Sequence, residues 1–280
     1  MTDLPAAPAA SPASADAAVL LRAYDEQLRE EAASAVRTQH LGPLLLASYL
    51  GGRGWVTYRS LETDGQPATE DSVRRLVAQA VAHYEAMPEI VRVEWKTRGH
   101  DHAPGLHGAL VAHGFVPDEP ESVMVGEARL LAVEVDAPEG LVVRQVTDEA
   151  DVRRMLAMQA EVFGDSPERE AEMAEQILHR LRTRDDMEMW VAELDGQIVS
   201  AGRLEPVTNT DFAGIWGGAT RPEYRGRGIY RALTAARARS AIAQGKRYIN
   251  SDSTEFSRPI LERSGFLKVS TTTPYEWHRR

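Results

Sequence analysis

Cysteine is absent from the 280 residues, which excludes disulfides, thiolate metal sites and a cysteine nucleophile, and leaves the redox compartment unreadable. Positive charge is in deficit. With 32 Lys and Arg against 42 Asp and Glu, the formal net charge is −10, so neither nucleic acid nor an anionic membrane is an expected partner; both need a long-range positive field. No apolar run approaches the about 20 residues that span a bilayer. The opening Met1 to Ala18, rich in Ala, Pro and Ser, lacks the basic start and apolar centre of a secretory leader. It is expected to be a disordered tail, and the protein to be soluble and cytoplasmic. Aromatic residues are sparse, at 6%. All of Trp55, Trp95, Trp190, Trp216 and Trp277 fall in segments that read as strands, where rings pack in cores rather than stack on bases. His100, Asp101 and His102 lack a further ligand at recognisable spacing, so no metal is assigned.

What is present is apolar content of 43%, enough for two ordinary cores in a chain longer than one usual domain. Leu20, Leu21, Tyr24 and Leu28 recur at helical spacing, and Trp55, Val56, Tyr58 and Leu61 suggest a strand. Thr69 reads as the N-cap of a helix whose apolar stripe is Val73, Leu76, Val77, Ala80 and Tyr84. Ile90 to Trp95 makes the next strand, a short helix through Leu106 and Leu110 ends at Gly114 and Phe115, and Val123 to Val125 is expected to close this half. The later chain repeats that ending: strand Tyr248 to Asn250, a short helix with Ile260 and Leu261, then Gly265 and Phe266. Such self-similarity points to duplication, with a linker at Val133 to Gly140. The second half reads as a strand at Leu141 to Arg144, a helix capped by Thr147, a helix starting at Ser166 and Pro167, and a hairpin turning at Asp195 and Gly196.

The chain is organised around Trp216 to Gly245. There an apolar strand meets Arg225, Gly226, Arg227, Gly228, Ile229 and Tyr230, and an amphipathic helix follows. Glycines here free the backbone for positive φ, so that successive N–H groups converge on one anion at a helix start; the helix dipole adds to the attraction. Arg221, Arg225, Arg227 and Arg231 form a basic cluster on an acidic background, which suits a small polyanion. The Lys-Ser or Lys-Thr of a P-loop is missing, as is the dinucleotide fingerprint.

This turn resembles the acyl-CoA pyrophosphate site of the GNAT superfamily of N-acetyltransferases, whose motif reads Gln or Arg, two residues, Gly, one residue, then Gly or Ala. Arg225 and Gly228 match it, and Tyr230 stands where the family usually has Gly or Ala. The order of elements over Leu141 to Trp277 is also that of a GNAT domain. The resemblance implies an α/β (α+β) fold of tandem GNAT-like domains, each a mixed, mostly antiparallel central sheet flanked by helices. Residues 19–135 would be a degenerate copy and 136–280 the acetyltransferase domain.

By the same resemblance, acetyl-CoA is the acyl donor. Its diphosphate would meet Arg225, Gly226, Arg227, Gly228, Ile229 and Tyr230, and its pantetheine would pair with Gly218, Ala219 and Thr220. Thr254 stands at the family's frequent Asn and is counted with the cofactor-binding residues; Leu261 stands where many members carry a proton-donating Tyr. Tyr275, in the expected closing hairpin, is the first choice of substitute acid, with Tyr224 and Tyr230 behind it; Glu205, Asp211 and Asp252, near strand ends, are the candidate bases. The implied reaction moves an acetyl group to an amine, that of a small molecule first, with a protein N-terminus or lysine as the alternative acceptor. A non-catalytic acyl-CoA-binding module is the remaining alternative, and the oligomeric state is open.

Overall fold

In the computed structural model, which describes residues 12–183 and 186–279, the chain builds two sheets whose membership crosses the middle of the sequence. The first half contains α1 (Pro12–Leu28), β1 (Arg37–Leu41), β2 (Leu44–Tyr49), β3 (Arg53–Tyr58), α2 (Glu70–Glu85), β4 (Arg92–Lys96), α3 (Leu106–Ala112), β5 (Val116–Pro117) and β6 (Glu121–Glu127). The second contains β7 (Val142–Val146), α4 (Glu149–Phe163), α5 (Pro167–Thr183), β8 (Glu188–Leu194), β9 (Gln197–Pro206) and β10 (Phe212–Thr220). It continues with α6 (Ile229–Ala243), β11 (Tyr248–Ser253), α7 (Arg258–Arg263), β12 (Leu267–Thr272) and β13 (Pro274–His278).

The six-stranded sheet runs β1-β2-β3-β4-β13-β5 and the seven-stranded sheet β12-β6-β11-β10-β9-β8-β7. Each is antiparallel apart from one parallel pair, β3 with β4 and β10 with β11. The repeated ending is real in three dimensions. Phe115 N–H donates to the Leu110 carbonyl and Phe266 N–H to the Leu261 carbonyl, both at 3.1 Å. Gly114 and Gly265, at φ of 85° and 88°, make the same left-handed exit.

The halves exchange their last strands. Val123 to Val125 does not close the first half: β6 pairs with β11 and β12 of the second. Nor is there a closing hairpin, because β13 crosses back to lie between β4 and β5. A division at 135/136 therefore separates stretches of sequence but cuts both sheets. Two further expectations change. Helix α1 starts at Pro12, inside the expected tail, and Tyr24 and Leu28 bury against Val123, Val125, Phe212 and Tyr248 of the seven-stranded sheet; that apolar face is what holds the helix. Met1 to Ser11 lie outside the described residues. Asp148, not Thr147, caps α4, its carboxylate accepting from Asp151 N–H at 3.0 Å.

The core of the first half lies between its sheet and α2 and α3, centred on Trp95, Tyr58, Tyr84 and Leu110. In the second, α4 and α5 cover one face of the sheet, while α6 and α7 cover the other through Leu233, Ala238, Ala241 and Leu261. The strand alternation that splits β8 into Met189 and Val191 on one side and Ala192 and Leu194 on the other feeds both cores.

Candidate active site

Strand β10 sets the geometry. It pairs with β11 only from Phe212–Tyr248 to Gly214–Asn250. Beyond that point the two strands part, while on its other side β10 breaks register with β9 between Trp216 and Ala219, a bulge that bends the strand. Glycine is required there. Gly217 has φ of 59°, and a Cβ on Gly218 would sit 2.8 Å from the Tyr230 hydroxyl. The Gln159 amide of α4 donates to the Gly217 carbonyl and pins the bulge. The expected pantetheine-pairing residues Gly218, Ala219 and Thr220 thus line the open edge. Two of their carbonyls already serve the protein: Ala219 accepts from Ser200 Oγ at 2.7 Å and Thr220 from Arg225 Nε at 3.0 Å.

Beyond β10, a 3-10 turn (Pro222–Tyr224) leads to the glycine turn. Gly226 and Gly228 have φ of 73° and 80°, and Gly228 is the N-cap of α6 with no side-chain cap and no acid in the first turn. The first helical N–H groups have no intrahelical partner, so Ile229, Tyr230 and the residues before them present donors outward. Arg225 folds back on Thr220, Arg227 lies over the Tyr224 ring at 5.5 Å, and Tyr230 packs between Gly218 and Arg237. Tyr230 therefore fills the space above the bulge.

The equivalent place in the first half, the start of α2 between β3 and β4, is closed. Thr69 Oγ1 accepts from Ser72 N–H at 3.2 Å, Ser72 Oγ accepts from Thr69 N–H at 2.9 Å, and Glu70 and Asp71 fill the first turn. A helix start satisfied by its own side chains and carrying two carboxylates repels a diphosphate. Of these two helix starts, that of α6 alone is left without a side-chain cap and without an acid.

Where the strands part, a cleft opens between the halves, lined by Tyr24, Trp55, Lys96, Arg98, Glu205 and Trp216 among others. Of the candidate bases, Glu205 lines it. Asp252 on β11 is ion-paired with Lys96 of β4, and its Oδ1 is buried without a partner; burial opposes the Lys96 charge, but the carboxylate outweighs it and holds the ammonium above its usual range. Glu205 is clamped by Arg180 and Arg203. Burial would raise its pKa, yet the two guanidiniums hold it below the usual carboxylate range, which suits a structural anion rather than a base. Asp211 lies outside this group, against Gln27 of α1.

One expectation about the acid is corrected. Tyr275, on β13, is in the core of the first half with its hydroxyl 2.8 Å from His107 Nδ1. It went there because its strand joined the other sheet. Leu261 is buried among Met124, Leu130 and Phe266, so its position is a packing site. Thr254 is exposed at the end of β11, its carbonyl accepting from Arg258 N–H at 3.0 Å. Sequence reasoning missed Lys96 and Arg98 altogether. In Trp-Lys-Thr-Arg they look like the polar end of a strand, and nothing local announces a carboxylate 156 positions away.

Comparison with known proteins agrees with this geometry. The family model described as Acetyltransferase (GNAT) family matches residues 151–266, and no curated protein matches the chain. Among solved structures, a GCN5-related N-acetyltransferase from Kribbella flavida is similar with a TM-score of 0.60 and 17% identity over 96% of each chain. A conserved protein of unknown function from Staphylococcus epidermidis is similar at 0.62 and 14%, over 87% of this chain and 94% of that one. A tandem GNAT protein from the clavulanic acid biosynthesis pathway gives 0.61 and 14%, over 85% and 79%. Residues 151–266, which hold the bulge, the glycine turn and the parting strands, match the GNAT acetyltransferase family, and the fold of the whole chain is similar to that of a tandem GNAT protein.

Proposed function

We propose that the protein transfers an acetyl group from acetyl-CoA to the amine of a small molecule bound in the cleft between its halves. One observation carries this reading: an uncapped helix start at Gly228 stands beside a strand that leaves its neighbour at Gly214. The first feature suits the diphosphate of CoA, at Arg225 to Tyr230; the second makes room for the pantetheine along Gly218 to Thr220 and brings the thioester to the bulge. Enclosure by both halves favours a small acceptor over a protein surface.

In the reaction the amine nitrogen attacks the thioester carbon. A C–N bond forms, the carbonyl electrons move onto oxygen, and backbone N–H groups of the bulge stabilise that charge. As the carbonyl re-forms the C–S bond breaks, and the electron pair leaves on sulfur. We assign the first proton of the ammonium to Asp252, whose Oδ1 is buried without a partner beside the Lys96 ion pair. The attacking nitrogen loses its second proton as the amide forms, and the thiolate gains one. With a pKa near that of cysteine, a thiol leaves tolerably without a dedicated acid, so the leucine at position 261 is no obstacle.

Thiol release from acetyl-CoA, followed against a panel of amines, tests the proposal. Acceptor-dependent release with an acetylated product is the expected result. CoA binding without transfer to any amine would leave a binding module instead.

A further inference from the structure

Arg98 presents a problem that the reaction described above does not solve. Its side chain is 5% exposed, and a buried guanidinium is ordinarily matched by a carboxylate. No ion pair to Arg98 occurs among the described residues: its Nη1 donates to Thr57 Oγ1 at 3.0 Å and to the Lys96 carbonyl at 3.2 Å, both neutral acceptors. Its Nε is buried with no partner. The neighbouring charges are engaged elsewhere, Lys96 with Asp252, Glu205 with Arg180 and Arg203, and Asp101 with Arg29, while Glu31, the other carboxylate of the cleft, accepts from Ala33 N–H at 2.7 Å. Yet Arg98 is not deep in a core. It lines the cleft beside Tyr24, Lys96 and Trp216.

The opposite charge preference lies on β11 in the same region. Asn250, which also lines the cleft, and Asp252 project from one face of the strand, and Oδ1 of each is buried without a donor. The cleft therefore has an unmet acceptor on the β11 side, at Asn250, and an unmet cationic donor on the β4 side. A ligand satisfying both carries an ammonium at one end and an anion at the other.

We infer that the acceptor is an amine bearing a carboxylate, an amino-acid-like molecule, and that Arg98, supplied by the half that has no CoA site, binds the carboxylate. This rests on the acetyltransferase reading and narrows it. The degenerate copy has lost its anion turn but contributes a specificity residue to its neighbour's reaction. A planar carboxylate suits the guanidinium fork, and a neutral amine without such a group would leave Arg98 uncompensated when the cleft closes to water.

The test compares the standard amino acids with their amides, which lack the carboxylate charge, at a pH high enough to free the α-amine of both, as acceptors and as ligands of the protein. Acetylation of at least one amino acid well above its amide is expected. Arg98→Gln should raise KM for that amino acid by about tenfold to a hundredfold while leaving the slow reaction of the amide and the KM for acetyl-CoA unchanged; Arg98→Lys should recover part of the loss. Amides accepted as well as acids, or a variant that impairs both equally, would overturn the inference while leaving the acetyltransferase reading intact. If no amine is acetylated, that reading falls, and the inference is judged on binding: amino acids must still raise the melting temperature saturably where their amides do not, and equal or absent shifts overturn it. If Arg98→Gln does not fold, the acid-to-amide comparison on the unaltered protein decides alone.

Discussion

Changing Gly226 isolates the electrostatics of the turn from its shape. Gly226 has φ of 73° and nothing within 4 Å of an added Cβ, whereas a Cβ on Gly228 would collide with the Asp136 carbonyl of the connecting segment. Substitution at Gly228 would confuse a lost binding site with a displaced backbone. At Gly226, Asn and Asp both tolerate the left-handed conformation, at a cost of about 1 kcal/mol, equivalent to roughly 2 °C in Tm for a chain of this length. They differ in one charge. With a carboxylate about 5 Å from a phosphate oxygen and an effective dielectric of about 40, suited to an exposed turn, repulsion is about 1.7 kcal/mol per phosphate charge, or nearly twentyfold in Kd. Two phosphate charges at most square that factor. Calorimetric titration with CoA should therefore show Gly226→Asn close to the unaltered protein and Gly226→Asp weaker by between ten and a few hundredfold, the gap narrowing as salt is raised. Equal affinities for the two variants at low salt would refute the placement of the diphosphate at this turn.

Three further outcomes follow from the structure. Glu205→Gln leaves Arg180 and Arg203 without their buried counter-charge and should cost about 3 kcal/mol at neutral pH. Because the folded carboxyl titrates below its unfolded value, that contribution is full above about pH 4.3 and disappears as pH falls through the folded pKa; melting curves for the two proteins should converge in acid, and a gap that stays constant down to pH 2 would refute the clamp. Tyr275→Phe loses only the bond to His107, so kcat should be unchanged and stability lower by about 1 kcal/mol; a tenfold fall in kcat would restore the tyrosine to the reaction. A fragment covering 136–280 lacks β6, which pairs with both β11 and β12, and should be unfolded by circular dichroism and rapidly proteolysed; a folded fragment that binds CoA would show the strand exchange to be dispensable.

The second half was legible because its signals are local. Apolar spacing marks α4 and α5, Asp195 and Gly196 turn the β8–β9 hairpin at φ of 52° and 76°, and the glycine turn names its ligand by backbone geometry. Strands β1 and β2 went unread, although Leu44 to Ala47 is buried throughout between turns at Gly42 and Gly51. The destinations of β6 and β13 could not be read. Each follows a strand, a helix and a Gly-Phe pair in either half, and a local pattern fixes that a strand forms, not which edge it joins. Tyr275 was misplaced for that reason. Lys96 and Arg98 were invisible because the cleft exists only once the two halves meet.

The exchange of β6 and β13 also bears on how the protein is made. The six-stranded sheet needs residues 274–278 between β4 and β5, and these leave the ribosome long after both. The first half, though synthesised first, must wait with its β4 edge unpaired until β13 has emerged, and β6 must wait for β11 and β12. Domain-by-domain folding during synthesis, the usual route for a chain of this length, is closed to it. The two halves fold in one event once β13 is available, and any nascent chain that stalls before it carries open strand edges for which chaperones are the natural cover.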